Sequence, residues 1–127
     1  MKKVETISEL KTLLEGKFTE EEINKLVEDV KPFYDFYEFM LNEHGMTYEQ
    51  VEEDSSEFSQ NIFNEYLEQM VKSESPIKFM IEISGDIMKR YANKYDYTKS
   101  EDVKIALNKY MEFLYLSNVN KNNTNGK

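Results

Sequence analysis

TEEEINKLVEDVKPFYDFYEFMLNEHG, residues 19–45, decides the fold. Thr19 followed by Glu20, Glu21 and Glu22 is a capping box, with three carboxylates placed where a helix dipole favours negative charge. Ile23, Leu26, Val27 and Val30 then recur at helical spacing. Past Pro32 the period persists: Phe33, Phe36, Tyr37 and Met40 form one stripe, with Tyr34 and Leu41 beside it and Asp35, Glu38 and Asn42 opposite. Strand alternation fits this spacing badly, and His44-Gly45 closes it. Pro32 either opens a third helix at its first turn or kinks a longer one.

The same punctuation extends outward. Ile7, Leu10 and Leu14 mark a short helix from about Thr6 to Glu15, stopped by Gly16. Thr47 and Gln50 offer a second capping box, opening a helix through Val51, Phe58, Ile62, Tyr66, Met70 and Val71 that breaks or continues at Ser55-Ser56. Ser75-Pro76 is an N-cap with proline at the first helical position. The helix that follows carries Ile77, Met80, Ile81, Ile87, Met88, Tyr91 and Tyr95 as its apolar stripe, with Phe79 and Ile83 on the far side. Ser100 is expected to cap a last helix through Val103, Ala106, Leu107, Tyr110, Met111 and Leu114. The expectation is an all-α, bundle-like domain of about six helices over 1–117, with a disordered tail rich in Asn and Lys over 118–127.

Composition narrows the chemistry. There is no cysteine, which removes disulfides and thiolate chemistry. One histidine, His44, would have to carry every imidazole-based mechanism, and its place beside Gly45 suits a helix C-terminus better. The four glycines, 16, 45, 85 and 126, are isolated, so no phosphate loop exists; Gly85 suits close helix approach or a local bend. The acidic run from Glu49 to Glu57 lacks the glycine and ligand spacing of a calcium loop. No enzyme activity, metal or cofactor is expected. No stretch has the run of about 18 apolar residues of a membrane span, and a cytoplasmic location is expected.

Charge is the least ordinary feature. The chain carries −9 at pH 7, and residues 32–75 hold Lys72 alone against eleven acids. Residues 76–127 hold nine bases against six acids. Only Arg90 could grip phosphate or guanine in bidentate fashion, so direct nucleic-acid binding is not expected. An acidic protein-binding module is expected instead. It would inhibit or neutralise a basic partner, such as a nuclease or another nucleic-acid effector, in a phage or toxin conflict. Its candidate contact residues are Glu49, Glu52, Glu53, Asp54, Glu57, Glu65 and Glu68, with Phe39 as an apolar anchor off the main stripe. In physical profile this is similar to nuclease immunity proteins and phage-encoded anti-CRISPR proteins, although no motif of either is present. The alternative expectation is a structural protein, a helical homo-oligomer or a subunit of a larger complex, suggested by Phe79 and Ile83.

Overall fold

In the computed structural model, Thr19 caps its helix as its sequence requires. The Glu22 amide donates to the Thr19 hydroxyl at 3.2 Å, and the Thr19 amide donates to the Glu22 carboxylate at 2.9 Å. The backbone is described for residues 5–125 and side chains for 5–116. Five helices result: α1 (Ile7–Leu14), α2 (Glu20–Glu43), α3 (Tyr48–Lys72), α4 (Pro76–Lys94) and α5 (Ser100–Asn125). The architecture is all-α, and the tail expected over 118–127 lies outside the residues whose side chains are described.

Five helices stand where about six were expected, because Pro32 lies inside α2 and starts no helix of its own. An interior proline forfeits the amide bond to the Glu28 carbonyl and costs about 3 kcal/mol in an isolated helix. Val30, Phe33, Phe36 and Met40, buried on both sides of it, supply the tertiary packing that holds the helix together. Ser55-Ser56 likewise does not break α3. Ser55 turns its hydroxyl onto the Glu52 carbonyl at 3.1 Å, which satisfies it within the helix.

The other caps follow the sequence with one exception. Thr47 and Gln50 form a reciprocal box, and Ser75 precedes Pro76 as N-cap. Ser100 was expected as a cap but is the first residue of α5, and the Lys99 carbonyl accepts the first helical bond, from Val103 at 2.9 Å. Gly16 and Gly45 take the left-handed conformation at their helix ends. At the end of α4 that role falls to Asp96, with φ of 57°, and the Tyr97 amide reaches back to the Ala92 carbonyl at 3.0 Å.

The core gathers Leu10 and Leu14 of α1, the α2 stripe, Val51, the C-terminal half of α4 and Val103, Ala106, Tyr110, Phe113 and Leu114 of α5. α4 packs most extensively on α5; α2 covers the other side of α5, and α3 lies against α4 with lesser contact to α2. This sandwiching resets the expected phase of α4. Ile83, placed on the far side by the sequence stripe, is buried, whereas Ile77 and Met80, expected in the core, are exposed. Gly85 makes the α4–α5 approach close, since a methyl there would overlap the Asn108 carboxamide.

Candidate acidic interface

Continuity of α3 determines where its carboxylates fall. At 100° per residue, Val51, Ser55, Phe58, Ile62 and Tyr66 share the inner face, and Glu49, Glu53, Glu57 and Glu68 share the outer one. The burial pattern agrees: Val51 is fully buried, the other inner residues are half-buried, and the four glutamates are exposed. The outer stripe runs about 29 Å along the helix axis. Glu52 and Glu65 are also exposed and flank it on opposite sides.

Among the described residues, Glu49, Glu53, Glu57 and Glu65 make no ion pair. Glu68 is met by Lys72 at 3.1 Å, one turn on and equally exposed. Three basic residues of the C-terminal part are engaged elsewhere. Lys89 pairs with Glu101 at 2.6 Å and Lys104 with Asp86 at 2.8 Å, both across the α4–α5 seam. These contacts lower the Glu101 pKa and raise that of Lys104. Lys109 reaches Asp29 of α2 at 3.1 Å. The central acidic segment therefore keeps most of its negative charge on the surface.

Asp54 departs from the expected group. It turns off the outer stripe toward α4, where its Oδ2 accepts from the Tyr91 hydroxyl at 2.7 Å and the Tyr95 hydroxyl at 2.6 Å. Those two bonds, with weaker help from Lys94 at 4.0 Å, hold its carboxyl below the usual carboxylate range. Burial pushes the Tyr91 hydroxyl up, reinforced by the bond to Asp54. Lys94 also lies over the Phe58 ring at 5.8 Å and the Tyr95 ring at 5.4 Å. The cluster clasps α3 to α4. The sequence held no local signal for it, because its partners lie about 40 residues from Asp54.

Phe39 also has a place within the chain. Its half-buried ring packs on Tyr97 at 4.9 Å, His44 at 5.2 Å and Phe36 at 6.2 Å, away from the α3 stripe. His44 sits at the α2 C-terminus, its amide donating to the Met40 carbonyl at 3.2 Å, as its position beside Gly45 suggested. Phe79, the other unexplained aromatic, meets Tyr66 of α3 edge-on at 6.4 Å. No group of three or more His, Asp or Glu that could hold a metal occurs among the described residues, and no helix there is long and apolar enough to cross a membrane.

A second surface feature has no signature in the sequence. A groove of about 620 Å³ opens between the first two turns of α4 and the α5 stretch from Asn108 to Leu116. Three exposed apolar side chains line it, Ile77 at 40%, Tyr115 at 40% and Leu116 at 49%. Sequence periodicity placed Ile77 in the core because it cannot tell how closely a neighbouring helix approaches. No family model matches the chain, and no curated protein and no solved structure is significantly similar to it.

Proposed function

We propose that this protein is an acidic protein-binding module that occupies the cationic, nucleic-acid-binding surface of a basic partner. The observation that carries this reading is the outward stripe Glu49, Glu53, Glu57 and Glu68 on one unbroken helix, with Glu52 and Glu65 beside it. Three of the four recur at one charge per ~6 Å of axis, against one per 3.4 Å along a strand of duplex DNA. The stripe is thus a diluted imitation of a phosphate strand. Such a field steers association and makes it sensitive to salt. Asp54 takes no part, since its oxygen is committed to Tyr91 and Tyr95. A cytoplasmic location, inhibition of a nuclease or other nucleic-acid effector, and the absence of enzymatic turnover belong to the same proposal.

Calorimetric titration against a panel of basic nucleases and RNA-guided effectors tests it. Binding by at least one, weakened ten-fold or more between about 50 mM and about 200 mM salt, is expected. The joint substitution Glu49→Gln, Glu53→Gln, Glu57→Gln and Glu68→Gln should abolish it. Binding that ignores both salt and these substitutions sinks the proposal.

A second reading, self-association, has one specific observation behind it: Leu67 and Val71 stand 52% and 72% exposed at the end of α3. Phe79 and Ile83 lend it little support, because Ile83 is buried within the chain and Phe79 meets Tyr66. A monomeric mass by light scattering at high protein concentration excludes it.

A further inference from the structure

The α4–α5 groove combines an apolar lining with an acidic rim. Its walls are apolar, with Ile77 and Ile81 on α4 facing Tyr115 and Leu116 on α5. Its rim is acidic: Glu74, Glu82 and Glu112 stand around it, against Lys78 alone. Each rim carboxylate is exposed. Apolar side chains left in water and ringed by charge of one sign are the make-up of a docking surface with an apolar centre and a polar rim. The lining spans about two helical turns on each wall, roughly 12 Å of axis. That length suits a short helical segment with one apolar face.

We propose that this groove docks an amphipathic helical segment of the basic partner, with its leucine-like face against Ile77, Tyr115 and Leu116 and its lysines or arginines toward Glu82 and Glu112. The inference rests on the reading of the protein as a binder of basic proteins, and it adds a second contact on the far side of α4 from α3. Charge selects this occupant over a second copy of the chain. Two chains of −9 meeting at acidic rims would repel, whereas a basic segment gains at every rim position. The groove supplies anchoring contacts, and the α3 stripe supplies the long-range field.

The probe is a fluorescein-labelled 14-residue helical peptide of leucine and lysine, with leucines at i, i+3, i+4 and i+7. A peptide of the same composition, scrambled so that no apolar face forms, is the control. Fluorescence anisotropy should show the scrambled peptide binding at least ten-fold more weakly. Ile77→Asp with Leu116→Asp should weaken the amphipathic peptide ten-fold or more. Both residues face solvent, and retention of the thermal midpoint establishes that the fold is intact. Should this pair misfold, Glu82→Gln with Glu112→Gln gives an independent measure, with a loss of at least three-fold at low salt. The glutamine substitutions on α3 should leave peptide affinity within two-fold. Equal binding of both peptides, or indifference to the groove substitutions, overturns the groove. If peptide binding follows the α3 substitutions alone, the groove fails while the acidic-module reading stands. If the groove binds the peptide but no basic protein is bound in the calorimetric panel, the broader reading fails instead. Loss of light-scattering monomers through Ile77 and Leu116 would assign the groove to self-association and overturn the proposal.

Discussion

The Tyr91 hydroxyl donates to Asp54 Oδ2 at 2.7 Å, and this bond joins α4 to α3 across 37 positions of sequence. Tyr91 is buried to within 1% of its surface and Asp54 is one-third exposed, so the bond spans the boundary of the core. Asp54→Ala would leave the phenol without its acceptor. A charged hydrogen bond contributes about 1.5–3 kcal/mol, reduced here by the solvent access of the carboxylate. We expect Asp54→Ala and Tyr91→Phe each to destabilise by about 1–2 kcal/mol in urea denaturation, with the double variant costing clearly less than the sum. Additive losses would show that the bond contributes nothing of its own.

The same contact makes stability depend on pH. The folded-state pKa of Asp54 lies below its unfolded value, chiefly through the bonds from Tyr91 and Tyr95. Its contribution is therefore complete above the unfolded value of about 3.9 and is lost as pH falls through the folded pKa. Denaturation of the wild type below about pH 4 should be steeper than that of Asp54→Asn. Parallel stability curves for the two proteins would contradict this.

On the outer face of α3 the sign is reversed. Glu49, Glu53 and Glu57 are like charges one turn apart, and each such pair costs about 0.2–0.5 kcal/mol. Glu53→Gln relieves two pairs at once. It should stabilise the protein by about 0.5 kcal/mol at low salt, with the gain shrinking at high salt as screening removes the repulsion. A loss of stability would mean that Glu53 has a structural role, and it would weaken the view that this stripe is held in reserve for a partner.

Gly85 and Asn108 should behave as one unit. Alanine is favoured over glycine in a helix by about 1 kcal/mol, yet a methyl at 85 overlaps the Asn108 carboxamide. Gly85→Ala alone should destabilise by about 1–2 kcal/mol through overpacking at the α4–α5 seam. Asn108 Oδ1 is shielded from solvent and has no hydrogen-bond partner, so its loss forfeits little. Gly85→Ala with Asn108→Ala should recover wild-type stability or exceed it, read as a thermal midpoint. If the single Gly85→Ala variant already melts higher, the seam is looser than its geometry indicates.

Asp96 holds the left-handed turn after α4 with φ of 57°. Glycine adopts that conformation without steric cost, and a carboxylate is poorly placed at a helix C-terminus. Asp96→Gly should stabilise by about 0.5–1 kcal/mol in thermal denaturation. Destabilisation would mean that the aspartate makes a compensating interaction.

Helix type and most helix starts were legible in the sequence because their causes are local. Thr19 with Glu22 and Thr47 with Gln50 satisfy amide donors three residues away, and the same four side chains form both boxes in the fold. The exposure of Glu57 and Glu68 also followed from helical phase, whereas Glu65 falls beside the inner face and is exposed in the fold all the same. Continuity did not. Pro32 and Ser55-Ser56 are weak points by propensity, and only the packing on either side shows that α2 and α3 run through them.

By itself the sequence determined an all-helical chain with its acid concentrated between Pro32 and Ser75, since periodicity, capping and charge count are properties of neighbouring residues. Tertiary structure alone decided which acids remain available. Glu49 and Glu53 joined the outer face once α3 proved unbroken, Asp54 was drawn to Tyr91 and Tyr95, and Ile77 exchanged its expected core place with Ile83. The physical reason is that a helix has several faces. Which of them meets another helix depends on where that helix passes, and this is set by contacts between residues far apart in the chain.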